Sequence, residues 1–335
     1  MTGLFAGVAY AFLVMLIVAK ADRSVSVTYI FILPLILGSV PVLFSTKAQL
    51  KSYLSVFVVP VLSVITLFFL SFISGFEGLI CLVIIVGPFV VLGALGAFVA
   101  RLVKLKTYHK KTPLYCSLLL PFLFLFIESN FRASDQFYTV NTSIDVEARQ
   151  SIVWMNVKNV RNISPKEIRT HFVHVIGVPK PLNGVLNGEG VGAIRNITWE
   201  KGIRFREIIN SWHEGSGFSY DIEVDPKSIP PTTLDEHVMI GGKYFDVIAG
   251  SYRIESLAPI KSRITLTCKY RVTTNLNAYS KWWADLVLSD FNEMILEVIK
   301  GRCEKYSGMV EARYSTYSEM PARGSGGDIN SGGNF

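Results

Sequence analysis

Five long windows in the first 128 residues carry no charged side chain: Thr2–Ala19, Ser24–Thr46, Ser52–Phe76, Gly78–Ala100 and Thr112–Ile127. Four of them hold 18 to 25 residues, mostly apolar. A helix crosses the hydrocarbon core of a bilayer with about 20 apolar residues. The windows therefore predict five spans within residues 1–129. After Glu128 the pattern becomes mixed and charge-rich, which predicts one sizeable water-facing domain.

The net charge of +7 could point to nucleic acid, so its location matters. Residues 1–129 hold nine Lys or Arg and three acids, while the remainder holds 24 and 23. The excess sits in the loops between spans, where it sets topology, and the soluble part has no basic excess for a nucleic-acid face. Arg101 to Lys111 contains five Lys or Arg and no acid, which places it in the cytoplasm. Counting spans backward puts the N-terminus inside. Counting forward puts the soluble domain outside, in the periplasm of a bacterial inner-membrane protein. Ala19-Lys20-Ala21 resembles a signal-peptidase site, but no Lys or Arg precedes the apolar run, so the first window is expected to stay as a span.

No Asp, Glu, Lys, Arg or His lies inside a predicted span, and intramembrane ionisable residues are the usual mark of ion pathways. Gly3-x-x-x-Gly7 and Gly93-x-x-x-Ala97 suit close helix contact. Residues 130–136 form a polar tether. A strand is expected over 137–146, a helix over 148–157, and a second helix from Ser164 to Ile176, where Ser164-Pro165-Lys166-Glu167 has capping-box spacing. Six strands follow, at 188–200, 202–211, 218–224, 243–248, 250–258 and 263–272. A helix from Tyr279 to Cys303 closes the domain with the stripe Trp283, Val287, Phe291, Met294, Ile295 and Val298. Residues 305–335 form a tail, with disorder expected in its Gly/Ser-rich end.

The first strand runs into Ser151-Ile152-Val153-Trp154. Gly190-Val191-Gly192-Ala193-Ile194-Arg195 opens a later strand, Gly250-Ser251-Tyr252-Arg253-Ile254 sits near the penultimate one, and Trp282-Trp283 begins the closing helix. These residues and this order resemble the START-like (SRPBCC, polyketide cyclase/dehydrase-like) superfamily, and most closely its membrane-anchored bacterial branch. The resemblance covers residues 137–304 and implies an α+β helix-grip domain, an antiparallel sheet wrapped on a long C-terminal helix. The expected fold class is thus a five-span transmembrane α-helical bundle followed by a helix-grip domain. Such a fold leaves space between sheet and helix, and fold alone does not give function.

Phe218, Tyr220, Ile222, Tyr252, Leu266, Tyr270, Phe291 and Met294 would face that space, either as pocket lining or as simple core. Arg195 and Glu207 fall on neighbouring strands among apolar residues. They read either as a polar handle for a ligand or as an exposed cross-strand pair, the ordinary outcome for facing charges. His171 and His174 share a helix face, but no nearby residue completes a metal set, and His237, in an acidic loop, reads as solvated. Cys268 and Cys303, expected mid-strand and late in the closing helix, do not obviously face each other, and the sequence leaves their pairing open. No nucleophile elbow, phosphate loop or Cys-His arrangement occurs, so no catalytic residue, metal or cofactor is expected. The leading expectation is a membrane-tethered module that contacts lipids and binds a lipid-like or other apolar ligand, without nucleic acid. A structural or assembly subunit of a membrane complex is the alternative, and a cyclase-type enzyme the second.

Overall fold

The computed structural model describes residues 2–20, 26–75, 78–106, 117–131, 133–225, 229 and 238–318. The apolar third forms α1 (Thr2–Lys20), a π-helical turn (Thr28–Ile32) continuing into α2 (Leu33–Leu43), α3 (Lys47–Lys51), α4 (Tyr53–Ile73), α5 (Leu79–Lys106) and α6 (Leu120–Glu128). Leu33, Leu37, Leu67 and Phe89 are buried between them. The α2–α5 crossing is the closest, backbone against backbone. A Cβ on Gly38 would lie 1.8 Å from the Gly93 carbonyl oxygen, and one on Gly96 would lie 1.9 Å from that of Leu35. Only glycine permits this approach, which brings the two backbones into van der Waals contact. Both small-residue motifs lie at contacts, since a Cβ on Gly3 would lie 2.9 Å from the Pro41 carbonyl oxygen.

The start of the basic cluster also has structural work. Lys104 Nζ donates to the carbonyls of Val42, Leu43 and Ser45 at 2.8, 2.6 and 2.9 Å. Arg101 Nε donates to the Leu50 carbonyl at 2.7 Å, with its guanidinium 4.1 Å from the centre of the Tyr53 ring. These cations bond to carbonyls at the C-terminal ends of α2 and α3, adding to the Ser45 N–H that the Val42 carbonyl already accepts at 3.1 Å.

The expectation of five spans is corrected. Among the described residues two helical stretches, Val56–Ile73 and Leu79–Lys106, are long and apolar enough to cross a membrane. Phe5–Ile17 and Thr28–Leu43 are shorter, and α6 has nine residues. The cause is local. The second window carries a π turn and two prolines, Pro34 and Pro41, and the described part of the fifth holds a 3-10 turn, Ser117–Leu119, before the nine residues of α6.

The remainder forms β1 (Gln136–Val146), α7 (Gln150–Lys158), α8 (Phe172–Val175), β2 (Pro181–Leu186), β3 (Ile194–Trp199), β4 (Arg204–His213), β5 (Gly217–Glu223), β6 (Phe245–Ala258), β7 (Lys261–Val272) and α9 (Asn277–Ser318). One antiparallel sheet has the order β1-β7-β6-β5-β4-β3-β2. It curls around α9, the arrangement of a helix-grip fold, because one face of each strand is apolar and needs a cover. Ile264, Leu266, Cys268, Tyr270 and Val272 of β7 alternate inward beneath α9.

Several boundaries differ from expectation. The strands expected at 243–248 and 250–258 are one strand, β6, with a bulge at Val247/Ala249. β2 was not expected, because Pro181, Asn183 and Gly184 suggest a turn; it lies at the sheet edge, where proline is tolerated. The helix expected from Ser164 to Ile176 is reduced to α8. The capping contact forms, with Ser164 N–H donating to Glu167 Oε2 at 2.7 Å, but Arg302 of α9 also holds that carboxylate at 2.6 and 2.9 Å. His171 just before α8 is extended, held against α9 by Asp290. The closing helix passes the expected end at Cys303 and runs to Ser318; the Gly/Ser-rich tail after Met320 lies outside the described residues.

The two parts are joined at the root of α9. Glu128, at the end of α6, accepts from Val27 N–H at 2.8 Å, Thr28 N–H at 3.1 Å, Thr28 Oγ1 at 2.7 Å and Asn275 Nδ2 at 3.1 Å. Tyr279 Oη donates to the Ile84 carbonyl at 2.5 Å. In α5 the residue four positions after Ile84 is Pro88, which has no N–H, so this carbonyl has no helical donor. The phenol from α9 supplies the missing bond.

Candidate ligand cavity

A cavity of about 250 Å³ lies between the curled sheet, α9 and the first turns of α5. Ile197, Trp199, Phe205, Ile222, Leu266 and Val247 contribute from the sheet. Trp283, Val287, Phe291 and Ile295 contribute from α9, at the four-residue spacing that keeps one helical face on the space. A further wall comes from Tyr29, Ile30, Ile80, Cys81, Ile84 and Ile85, of the π turn and α5. The cavity is therefore shared by the two parts of the chain, and its lining is predominantly apolar, as in sites for small apolar ligands.

Of the ten residues singled out from sequence, seven line the cavity: Arg195, Glu207, Tyr220, Ile222, Tyr252, Leu266 and Phe291. Three do not, and for these the pocket-lining expectation is corrected. Phe218 lies with its ring centre 5.8 Å from Trp212 and 6.1 Å from Trp154, filling the space beneath α7. Tyr270 is completely buried, its hydroxyl donating to Asp285 of α9 and its ring 5.7 Å from Tyr138, so it closes one end of the sheet–helix interface. Met294 is fully buried in the main core.

Arg195 and Glu207 face each other across β3 and β4. Arg195 Nη1 donates to Glu207 Oε2 at 2.9 Å, with the two residues 3% and 6% exposed. The exposed reading of this pair is overturned. Room for the guanidinium comes from Gly184 of β2, where a Cβ would lie 2.8 Å from Arg195 Nη2. Gly250 of β6 does the same for Tyr220, whose hydroxyl would lie 2.5 Å from such a Cβ. The guanidinium carbon sits 5.5 Å from the Tyr252 ring centre and 5.9 Å from that of Phe218, so aromatic faces support the buried cation.

Burial raises the Glu207 carboxyl above its ordinary value, and the Arg195 charge and hydrogen bond offset this only in part. Burial works against the charged guanidinium, but Glu207, Tyr252 and Tyr220 outweigh it and raise Arg195 further. Burial also raises the Tyr220 and Tyr252 phenols and pushes the Cys268 thiol up to about 12, so all three stay protonated at neutral pH.

Asn292 of α9 was not singled out from sequence. It is 3% exposed and lines the cavity, and its Nδ2 has no partner among the described residues. Arg195 Nε is also buried without a hydrogen bond. A polar residue in the middle of the apolar stripe Phe291–Ile295 was the available signal.

The histidines diverge. His171 Nδ1 lies 3.2 Å from Asp290 and Nε2 lies 3.6 Å from Glu297, whereas His174 Nδ1 bonds the Val178 carbonyl at 2.9 Å. Among the described residues no group of three or more His, Cys, Asp or Glu could hold a metal ion. His109 and His237 lie outside the described residues. Cys268 and Cys303 are both free and buried.

No family model and no curated protein matches this chain. Among solved structures the chain is similar to the Zhui aromatase/cyclase from Streptomyces sp. R1128, at 12% identity and a TM-score of 0.33, over 50% of this chain and 94% of that one. It is also similar to a truncated norcoclaurine synthase from Thalictrum flavum, at 12% identity and a TM-score of 0.31, over 51% of this chain and 95% of that one. The helix-grip description stands on the strand order and closing helix given above.

Proposed function

We propose that this chain is a membrane-seated helix-grip module that takes an apolar ligand into the cavity under α9. The observation that carries the reading is the composition of the cavity wall: sheet and α9 on one side, and Ile80, Cys81, Ile84 and Ile85 of an apolar helix on the other. A ligand dissolved in the bilayer would meet the cavity without passing through water. In this reading the grip domain lies outside the cytoplasm of a bacterial cell, because it packs on Ile80 to Ile85 at the start of α5 while the basic cluster Arg101 to Lys111 belongs to the other end, and the apolar helices contact membrane lipid. The membrane-anchored START-like resemblance supports the same arrangement.

The test is the full chain purified in mild detergent and examined by native mass spectrometry. A bound apolar molecule is expected in the wild type and reduced occupancy in Leu266→Trp, which fills the cavity without adding charge. A wild type that carries nothing and takes up no fluorescent fatty acid or fatty alcohol refutes the reading and favours a structural subunit, which needs no ligand. Orientation is tested by reporter fusions after Gly301: alkaline phosphatase active and green fluorescent protein dark is the expected pair. One observation favours a cyclase-type enzyme as second reading, namely the titratable Glu207 and Tyr220 in the cavity. Turnover of a bound ligand that is lost in Glu207→Gln, with binding retained, would establish it.

A further inference from the structure

The cavity's few polar groups restrict what kind of amphiphile it can hold. Arg195 and Glu207 form a buried pair of zero net charge. Among the described residues no Asp, Lys or His and no second Arg or Glu lines the space, and Tyr220, Tyr252 and Cys268 stay protonated at neutral pH. Asn292 adds a neutral amide, 3% exposed, whose Nδ2 lacks a partner, and Arg195 adds an unbonded Nε–H. A buried donor left without an acceptor carries a desolvation cost, so these groups call for an acceptor brought by the ligand or by water. An ionised head would bring a net charge into a region already balanced, with no counter-ion to meet it. A hydroxyl, ketone, ester or amide would satisfy the same donors at no such cost.

We infer that the ligand is an uncharged single-chain amphiphile whose oxygen accepts from Asn292 and Arg195, and that the cavity discriminates against fatty acids and other ionised lipids. This rests on the apolar-ligand reading above and goes beyond it by naming the class of head group.

The experiment uses the full chain in detergent at pH 8. Four sixteen-carbon probes are titrated and binding is read by native mass spectrometry: hexadecane, hexadecan-1-ol, hexadecanamide and palmitate. The alcohol and amide should bind at least tenfold more tightly than palmitate and more tightly than hexadecane. Asn292→Leu should bring the alcohol down to the level of hexadecane. Glu207→Gln leaves the guanidinium uncompensated, so palmitate should gain on the alcohol. If palmitate equals or exceeds the alcohol in the wild type, the head-group inference is wrong while apolar binding stands. Equal binding of hexadecane and the alcohol also overturns it, because water alone would then occupy the polar end. If none of the four binds, the apolar-ligand reading itself fails. Asn292→Leu preserves the ion pair, so its result is readable even if Glu207→Gln does not fold.

Discussion

Glu207→Leu isolates the energetic consequence of the buried pair. In the folded chain the Arg195 guanidinium has one good hydrogen bond, 2.9 Å to Glu207, and a long one of 3.5 Å to the Val157 carbonyl. Removing the carboxylate leaves a 3% exposed cation without its counter-charge, which costs about 3–5 kcal/mol. Arg195→Met is expected to cost less, about 1–3 kcal/mol, because Glu207 can take up a proton and become a neutral buried acid. The double variant Arg195→Met/Glu207→Leu should return close to wild-type stability, since a well-packed apolar replacement of a buried pair is often neutral or better. The coupling energy from the cycle should therefore be at least about 2 kcal/mol. Urea denaturation of the full chain, followed by circular dichroism, measures all four proteins. The acid response adds a second reading. A carboxyl whose folded pKa exceeds its unfolded one binds protons more tightly in the folded state. Its contribution to stability therefore falls as pH rises between the two values and recovers on acidification. Arg195→Met should gain relative to wild type as pH is lowered towards 4.5, the ordinary value. A cost below about 1 kcal/mol for Glu207→Leu would mean that the guanidinium is solvated and the cavity is wet, and would refute the reasoning.

Gly38→Ala places a methyl 1.8 Å from the Gly93 carbonyl oxygen and should cost about 1–3 kcal/mol or more in thermal stability, whereas Gly87→Ala meets nothing within 4 Å and should be neutral or better. Tyr279→Phe strips the Ile84 carbonyl of its donor and should raise amide hydrogen exchange in the first two turns of α5, with little change in β7. Glu167 is held below its ordinary value chiefly by the Arg302 hydrogen bond, so its contribution is complete above 4.5 and disappears as pH falls through the lowered folded value; Glu167→Gln should flatten the acid limb of the stability profile. Cys268 and Cys303, both pushed up to about 12 by burial, should resist iodoacetamide at pH 8 in the native chain and react after unfolding.

The parts of this fold that sequence revealed are those with strong local periodicity. β7 alternates through ten residues from Arg263 to Val272, and its pattern allows one placement of faces. The α9 stripe likewise marks the face that meets the sheet, although it does not separate Trp283, Val287, Phe291 and Ile295, which border open space, from Met294 and Val298, which fill core. That distinction depends on how far the sheet curls away at each point, which no helical period encodes. The span count failed for a related reason. Absence of charge was read as length of helix, but the second window is interrupted by a π turn, and the described part of the fifth yields nine residues of α-helix.

Arg195 was readable as a strand residue, but its burial was not. The space it occupies is made by Gly184, which sits in a strand disguised by Pro181 and an Asn-Gly pair as a turn. Once β2 is missing from the reading, the Arg195–Glu207 pair lies at a sheet edge, and an exposed ion pair is the natural conclusion. With β2 in place the pair is covered, and Gly184 opposite Arg195 in that layer becomes a requirement. The second wall of the cavity was hidden further still. Ile80 to Ile85 lie about two hundred residues from Tyr279 in sequence, and the link is a carbonyl that Pro88 leaves without a helical donor. Pro88 thus leaves free the carbonyl on which α9 docks. Because the same turns of α5 supply the apolar wall, the closure of the cavity and the docking of α9 on α5 share one hydrogen bond, beside the Glu128–Asn275 contact. Ligand occupancy and docking should therefore respond together when Tyr279 loses its hydroxyl.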